Sequence, residues 1–335
     1  MKTEHISAPE EMSNTERRQW YETKENVSRY LYGTRGGWKK DQDNPVFGDG
    51  YGVCFDVSVL FENKTYKMWF SWRTKHGIGY TESKDGKHWG KPSLVLEPVP
   101  QSNWESDEVN RPSVVYHDGQ YLMWYSGQMY PYQEKGTSAL GLAVSEDGVH
   151  WIREGKPVLI PAGGWEGHAI MCPYVMYDKT NQYFRMWYSG GSNHEPDAIG
   201  YAESLDGITW NRKNNQPIFD TKNSSLWDRY KVLACQVIPY NGWFYMFYIG
   251  HFHEERASIG LARSKNGIEK WERYPNNPII APDQGAWDDM SVYKPFVLHM
   301  DDKWIMWYNG AAFDPNVWAV EKIGLAYHDQ SDLWN

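Results

Sequence analysis

The sequence predicts an all-β protein, a five-bladed β-propeller closed by its own N-terminal strand. Three features carry the prediction: an internal repeat, four strand-like segments in each unit, and a last unit that is one strand short. The pairs Trp104-Glu105, Trp165-Glu166, Trp227-Asp228 and Trp287-Asp288 recur at intervals of 61, 62 and 60 residues. A fixed period of this kind marks a repeated supersecondary unit.

Within the second unit the strands read VNRPSVVYH, QYLMWYSG, ALGLAVS and WIREGKPVLIP, separated by turn residues such as His-Asp-Gly and Glu-Asp-Gly. Alternating or continuous apolar runs between Gly and Asp turns are the pattern of strands. The segments TYKMWFSW, YFRMWYSG, WFYMFYIG and KWIMWYNG repeat the second strand, and IGYTES, IGYAES, IGLARS and IGLAYH repeat the third. Four-stranded units set radially protect their edges by packing around a channel. The fifth unit has three strands, and the spacing from Trp38 to Pro45 equals that from Trp210 to Pro217 and from Trp271 to Pro278. Residues 38 to 48 are therefore expected to supply the missing strand, so that the propeller spans 38–335. Residues 1–37 form an extension. Trp20, Val27, Tyr30 and Leu31 among charged neighbours, with Gly33 as a stop, predict an amphipathic helix over Asn14 to Tyr32. Such a helix packs on the side or base of the propeller, or acts as the arm of a homodimer.

The 335 residues include 34 basic and 43 acidic side chains, for a net charge of −9, and 16 % are aromatic. The aromatic load excludes a disordered chain, and no apolar run approaches the roughly 18 residues of a membrane-spanning helix. A net-negative chain without a basic block argues against nucleic acid and anionic membranes as partners. The opening residues contain no apolar leader, so a cytoplasmic location is expected. Cys54, Cys172 and Cys235 show no metal-ligand or redox spacing and read as buried thiols. No cofactor is expected, with a divalent cation in the channel left open.

Strand order sorts the motifs onto two faces. The Ser-x-Asp-Gly-x-x-Trp segments (Ser83 to Trp89, Ser145 to Trp151, Ser204 to Trp210) and the related Ser264 to Trp271 fall in the turn from third to fourth strand. Their recurrence in every unit is the mark of a structural turn. The opposite face carries loops that differ: 72–77, 128–138, 191–198, 251–258 and 311–322. Variable loops on a regular scaffold are where function concentrates. Aligned on the Pro of Arg111-Pro112, the five first strands offer Asp56, Arg111, Cys172, Ala234 and Lys294, preceded by Asp107 and Glu108, His168, Arg229 to Lys231, and Asp289. These groups are expected to converge on the mouth of the channel. Carboxyl groups, cations and an imidazole beside aromatic rings suit a sugar, because ring faces stack on its C–H faces and paired carboxyls supply acid and base. Trp72, Tyr230, His194 and His251 are the expected contacts beside the cations Arg111, Arg229, Lys231 and Lys294. Glu105, Glu166, Asp228 and Asp288 read as structural by their repetition.

Over residues 38–335 the chain resembles the five-bladed propeller glycosidases of the furanosidase superfamily, which includes glycoside hydrolase families 32, 43, 62, 117 and 130. That resemblance implies a carbohydrate substrate, and it implies that Asp56, in Cys54-Phe55-Asp56-Val57, is the base or nucleophile of the first blade. The sequence departs from families 32 and 43 at two places: Met171 stands where their general acid is a Glu, and Arg111 stands where an Asp precedes Pro. The proton donor is then sought among Glu108, Asp107, His168, Glu166 and Asp289, in that order, with Glu108 or His168 as the expected acid; family 117 is similar in using a His for this role. The cationic set fits an acidic sugar, or a phosphate nucleophile as resemblance to family 130 implies. The expected function is hydrolysis of a terminal glycosidic bond of an oligo- or polysaccharide by an inverting route. The alternatives are phosphorolysis and a non-catalytic carbohydrate-binding propeller.

Overall fold

The computed structural model describes residues 32–130, 137–191, 196–254, 256–314 and 318–334. Apart from Tyr32, the expected helix over Asn14 to Tyr32 lies outside them. The described residues form an all-β protein with no α-helix, only four three-residue 3-10 turns. After β1 (Trp38–Lys40), the first sheet contains β2 (Cys54–Glu62), β3 (Thr65–Trp72), β4 (Gly77–Ser83) and β5 (Ser93–Leu96). The second contains β6 (Glu108–His117), β7 (Gln120–Gln128), β8 (Ser138–Ser145) and β9 (Ile152–Arg153). The third contains β10 (Ala169–Asp178), β11 (Tyr183–Gly191), β12 (Ala198–Ser204) and β13 (Asn211–Arg212). The fourth contains β14 (Lys231–Tyr240), β15 (Trp243–His253), β16 (Arg256–Ser264) and β17 (Glu272–Arg273). The fifth orders β18 (Ser291–Met300), β19 (Lys303–Asp314), β20 (Trp318–His328) and then β1, which pairs antiparallel with β20 from Trp38 opposite His328 to Lys40 opposite Ala326. A single parallel pair, Ala169 with Ser138, links the second and third sheets.

Neighbouring sheets are tied by the second-strand tryptophans. Trp69, Trp124, Trp187 and Trp307 are fully buried. Their indole N–H groups donate to the carbonyls of Gly148, Gly207, Gly267 and Gly86, each in the turn of the next sheet, at 2.8 to 2.9 Å. The turn that receives them is the repeated Ser-x-Asp-Gly motif: Ser83 Oγ accepts from the Gly86 N–H, and Asp85 Oδ1 accepts from the N–H groups of Lys87 and His88. Glycine is required there twice over. At Gly86 φ is +74°, and a Cβ would lie 2.9 Å from the Trp307 ring.

The Trp-acid pairs form a second set of ties, this time within a sheet. Each acid is 2 % exposed or less. Tyr125, Tyr188, Tyr248 and Tyr308 on the second strands donate to Glu105, Glu166, Asp228 and Asp288. A cation of the outer strand completes each cluster: Arg153, Arg212, Arg273 and, in the fifth sheet, Lys40 of β1 at 2.6 Å. A buried carboxylate needs such partners to offset its desolvation. Lys40 thus occupies, in the last sheet, the place that arginines of β9, β13 and β17 occupy in theirs. Ahead of β1, the Gly33 N–H donates to Pro282 O and the Arg35 N–H to Ile279 O, so the end of the extension lies along the fourth sheet.

Lys40→Met leaves Asp288 buried without its main cation and is expected to lower the unfolding free energy by about 3 kcal/mol. Denaturant unfolding measures it, and the double variant Lys40→Met/Asp288→Asn is expected to recover most of the loss.

Candidate active site

The five first strands each break register at one point: between Phe55 and Ser58, Asn110 and Ser113, Met171 and Tyr174, Leu233 and Cys235, and Tyr293 and Phe296. At each bulge one non-glycine residue takes a left-handed backbone: Asp56, Arg111, Cys172, Ala234 and Lys294, with φ of 51°, 55°, 55°, 38° and 47°. Such conformations are costly for residues with a Cβ and persist where neighbours hold them. The holding contacts come from the preceding sheet. The bulge N–H groups of Arg111, Cys172 and Ala234 donate to Ser71, Ser126 and Ser189 Oγ at 2.7, 3.1 and 2.7 Å, and that of Asp56 donates to Asn309 Oδ1 at 3.0 Å. The acceptors occupy one repeat position, the penultimate residue of the WFSW, WYSG and WYNG segments.

The first strands touch one another in cyclic order, β18 returning to β2. At the bulges a cavity of about 500 Å³ opens, lined by residues of all five first strands, among them Phe55, Asp56, Arg111, Cys172, Ala234 and Tyr293. Arg73, His251, Glu254 and Glu321 line it from the variable loops and the strand ends beside them. Asp56 is 4 % exposed. Its Oδ1 accepts from Asn309 Nδ2 at 2.9 Å and its Oδ2 lies 3.4 Å from Arg111 Nε. Arg111 also donates to Asn110 Oδ1 at 2.7 Å. On the other side, Arg73 lies 3.2 Å from Glu321 Oε2, and the Tyr293 hydroxyl donates to Glu321 Oε1 at 2.5 Å. Both guanidiniums lie over the Phe55 ring, at 4.5 Å for Arg73 and 5.9 Å for Arg111. Burial pushes the Glu321 carboxyl above the usual carboxylate range, and the Asp56 charge adds to the shift against the pull of Arg73 and Tyr293. The cavity therefore holds two guanidinium-carboxylate pairs on one aromatic floor.

Of the described residues expected from sequence, Asp56, Arg111 and His251 line the cavity, and the others do not. Glu166 is 1 % exposed and held by Arg212 and Tyr188 in the repeated Trp-acid cluster. Glu108 is buried and takes the Tyr130 hydroxyl, while Asp107 accepts from Ser106 Oγ and the Tyr130 N–H. His168 is exposed, just ahead of β10. The main-chain carbonyl of Asp289 accepts from Arg256, and it is the neighbouring Met290 and Ser291 that reach the cavity. Arg229 lies over the Phe252 ring and Lys231 over that of Tyr230, whose N–H bonds to His251 O. Lys294 is buried at its bulge. Trp72 belongs to the core of the first sheet, its indole N–H donating to Tyr51 O at 2.7 Å. His194 lies outside the described residues. Arg73, Glu254, Tyr293 and Glu321 were not singled out in the sequence, although the loops 72–77, 251–258 and 311–322 contain three of them. Among the described residues no group of three or more His, Cys, Asp or Glu side chains is placed to hold a metal ion.

The family model for glycosyl hydrolases family 43 matches residues 43–320. Over 246 residues the chain is 27 % identical to the 1,2-beta-oligomannan phosphorylase of Thermoanaerobacter sp. (strain X514), covering 71 % of this chain and 76 % of that one. It is 24 % identical over 249 residues to the beta-1,2-mannobiose phosphorylase of the same organism, covering 71 % and 75 %. A solved structure described as a glycoside hydrolase aligns with a TM-score of 0.70 at 19 % identity over 94 % of this chain and 95 % of that one. A thermostable family-43 glycoside hydrolase aligns at 0.67 and 18 % identity, over 84 % and 91 %. At these identities the structural likeness shows a shared fold.

Ser71→Ala and Ser126→Ala each leave a bulge N–H without its acceptor. Each is expected to lower stability by about 1 to 3 kcal/mol in denaturant unfolding, more than the exposed Ser93 replaced in the same way.

Proposed function

The chain belongs to glycosyl hydrolases family 43, and on that premise we propose that it cleaves a terminal glycosidic bond of an oligo- or polysaccharide in the cavity framed by the five bulges. The five sheets are read as the blades of a propeller closed by β1, with the cavity at one mouth of its axis; the cyclic contacts of the first strands support this. One observation carries the functional reading: Asp56 and Glu321 line the same cavity, and each is paired with an arginine. A volume of about 500 Å³ is that of a small-ligand pocket, which suits the end of a glycan chain.

Asp56 serves as the base. Asn309 and Arg111 fix its two oxygens, so the carboxylate meets an incoming water in one orientation. Water attacks the anomeric carbon, Asp56 takes its proton, and the configuration inverts. Arg73, Arg111 and His251 provide the polar contacts that orient the sugar, while the apolar wall of Phe55, Met171, Leu233 and Ile249 meets its C–H faces. No cofactor enters this scheme.

Phosphorolysis is the second reading, and two observations favour it. The two curated relatives above are named as phosphorylases, and Arg73 and Arg111 place two guanidiniums at one wall of the cavity, where an attacking phosphate would be bound bidentately.

A glycan panel that includes β-1,2-linked mannosides, run with and without inorganic phosphate, tests the proposal. Turnover by the wild type is expected, with a loss of about 10³-fold in kcat/KM for Asp56→Asn. A strict phosphate requirement, with a sugar phosphate as product, selects phosphorolysis. Binding without turnover on every glycan would overturn the proposal in favour of a non-catalytic carbohydrate-binding propeller.

A further inference from the structure

The proposed reaction lacks a proton donor, because Met171 stands where a glutamate was sought and Glu108, Asp107, His168, Glu166 and Asp289 do not line the cavity. Among the described residues three carboxyl groups do line it: Asp56, Glu254 and Glu321. Glu254 is exposed on its loop. Glu321 is different in kind. It stands on β20 opposite Ala311 of β19, and its side chain is 14 % exposed. It receives the Tyr293 hydroxyl from β18 and faces Arg73 from the first sheet. Its Oε2 atom is buried and has no hydrogen-bond donor, the Arg73 contact being an ion pair. Tyr293 is itself enclosed, its hydroxyl held protonated by burial and by the neighbouring Glu321 charge. The donated bond therefore fixes one carboxyl oxygen and leaves the other to the Arg73 guanidinium, which lines the same cavity as Asp56.

We propose that Glu321 is the general acid of the glycosidic cleavage, with Tyr293 as the residue that positions it; this rests on the reading of the cavity given above. In the step, the proton on the Glu321 carboxyl passes to the glycosidic oxygen as the bond from the anomeric carbon to that oxygen breaks, and the bonding pair leaves with the departing alcohol. The oxygen of the attacking water forms the new bond to the anomeric carbon, and its proton goes to Asp56. Glu321 ends as the carboxylate and Asp56 as the acid, and exchange with solvent restores both. Both carboxyls face a guanidinium, and they differ in their other partner: a tyrosine hydroxyl at Glu321 and a side-chain amide at Asp56. The upward direction of the Glu321 shift agrees with the role of acid.

The test compares wild type, Glu321→Gln and Tyr293→Phe on an oligosaccharide that the wild type cleaves and on the 2,4-dinitrophenyl glycoside of the same sugar. A good leaving group needs no proton, so Glu321→Gln is expected to lose about 10³-fold in kcat/KM on the oligosaccharide and under about tenfold on the aryl glycoside. The basic limb of its pH profile is expected to vanish. Tyr293→Phe removes a hydrogen bond to the charged carboxylate, which raises the Glu321 pKa, so its basic limb is expected to move to higher pH. Thermal unfolding of both variants identifies a folding defect, and Tyr293→Phe, which keeps the ring, reports on the role even where Glu321→Gln is unstable. Equal losses on both substrates, or a basic limb unchanged in both variants, would overturn the assignment while leaving the glycosidase reading intact. No turnover of any glycan by the wild type would overturn both.

Discussion

The hydrogen bond from the bulge N–H of one sheet to a serine or asparagine on the second strand of the preceding sheet is the contact on which the site depends. A left-handed residue with a Cβ costs on the order of 1 kcal/mol or more, and a buried N–H left unpaired costs a similar amount again. Ser71, Ser126, Ser189 and Asn309 offset both at once. The consequence is directional. The bulge turns Asp56, Arg111, Cys172 and Ala234 into the cavity wall instead of leaving them in the alternation of a flat strand. Asn309 does more than the serines, because its amide both accepts from the Asp56 backbone and donates to the Asp56 carboxylate. The sheet that bears the proposed base is thus joined to the sheet that bears Glu321 by one side chain.

Farther from the cavity, two repeated devices keep the sheets in register with that contact. Indole N–H groups reach across to the turn carbonyls of the next sheet, and buried acids clamp the second strand to the outer strand within a sheet. Both use groups that are nearly identical in successive units, which is why neither supplies an asymmetric reaction centre. The fifth position of the bulge series departs from the others: Ile249 occupies the place of the serines ahead of Lys294, and an apolar side chain there faces the cavity. The proposed function rests on the departures from the repeat, at Asp56, Arg111, Arg73 and Glu321, and the ties between sheets on what the repeat retains.

The repeat made much of the fold legible. Strand segments, the structural reading of the Ser-x-Asp-Gly turns, the pairing of Trp38 to Lys40 with the last sheet, and the five bulge residues all follow from aligning one unit on the next. Asp56 and Arg111, which line the cavity, stand out in that alignment. Glu108, three residues ahead of Arg111, is buried and takes the Tyr130 hydroxyl, and its charge acts on Arg73 of the cavity wall. Trp72 stands where the other second strands carry glycine (Gly127, Gly190, Gly250 and Gly310), and its indole turns back to the Tyr51 carbonyl. Arg73 comes from the turn after β3 and Glu321 from the start of β20, in segments whose sequences differ from unit to unit, so periodicity carries no information about them. Their pairing across two sheets is a fact of three dimensions, 248 positions apart in the sequence.

The central claim is that the bulges build one reaction site between Asp56 and Glu321. It is tested most directly by a crystal structure of Asp56→Asn soaked with an oligosaccharide that the wild type cleaves. The account predicts sugar density in the cavity, with the anomeric carbon facing residue 56 and the glycosidic oxygen about 3 Å from a Glu321 carboxyl oxygen. Sugar bound at another surface, with the cavity holding solvent alone, would contradict it.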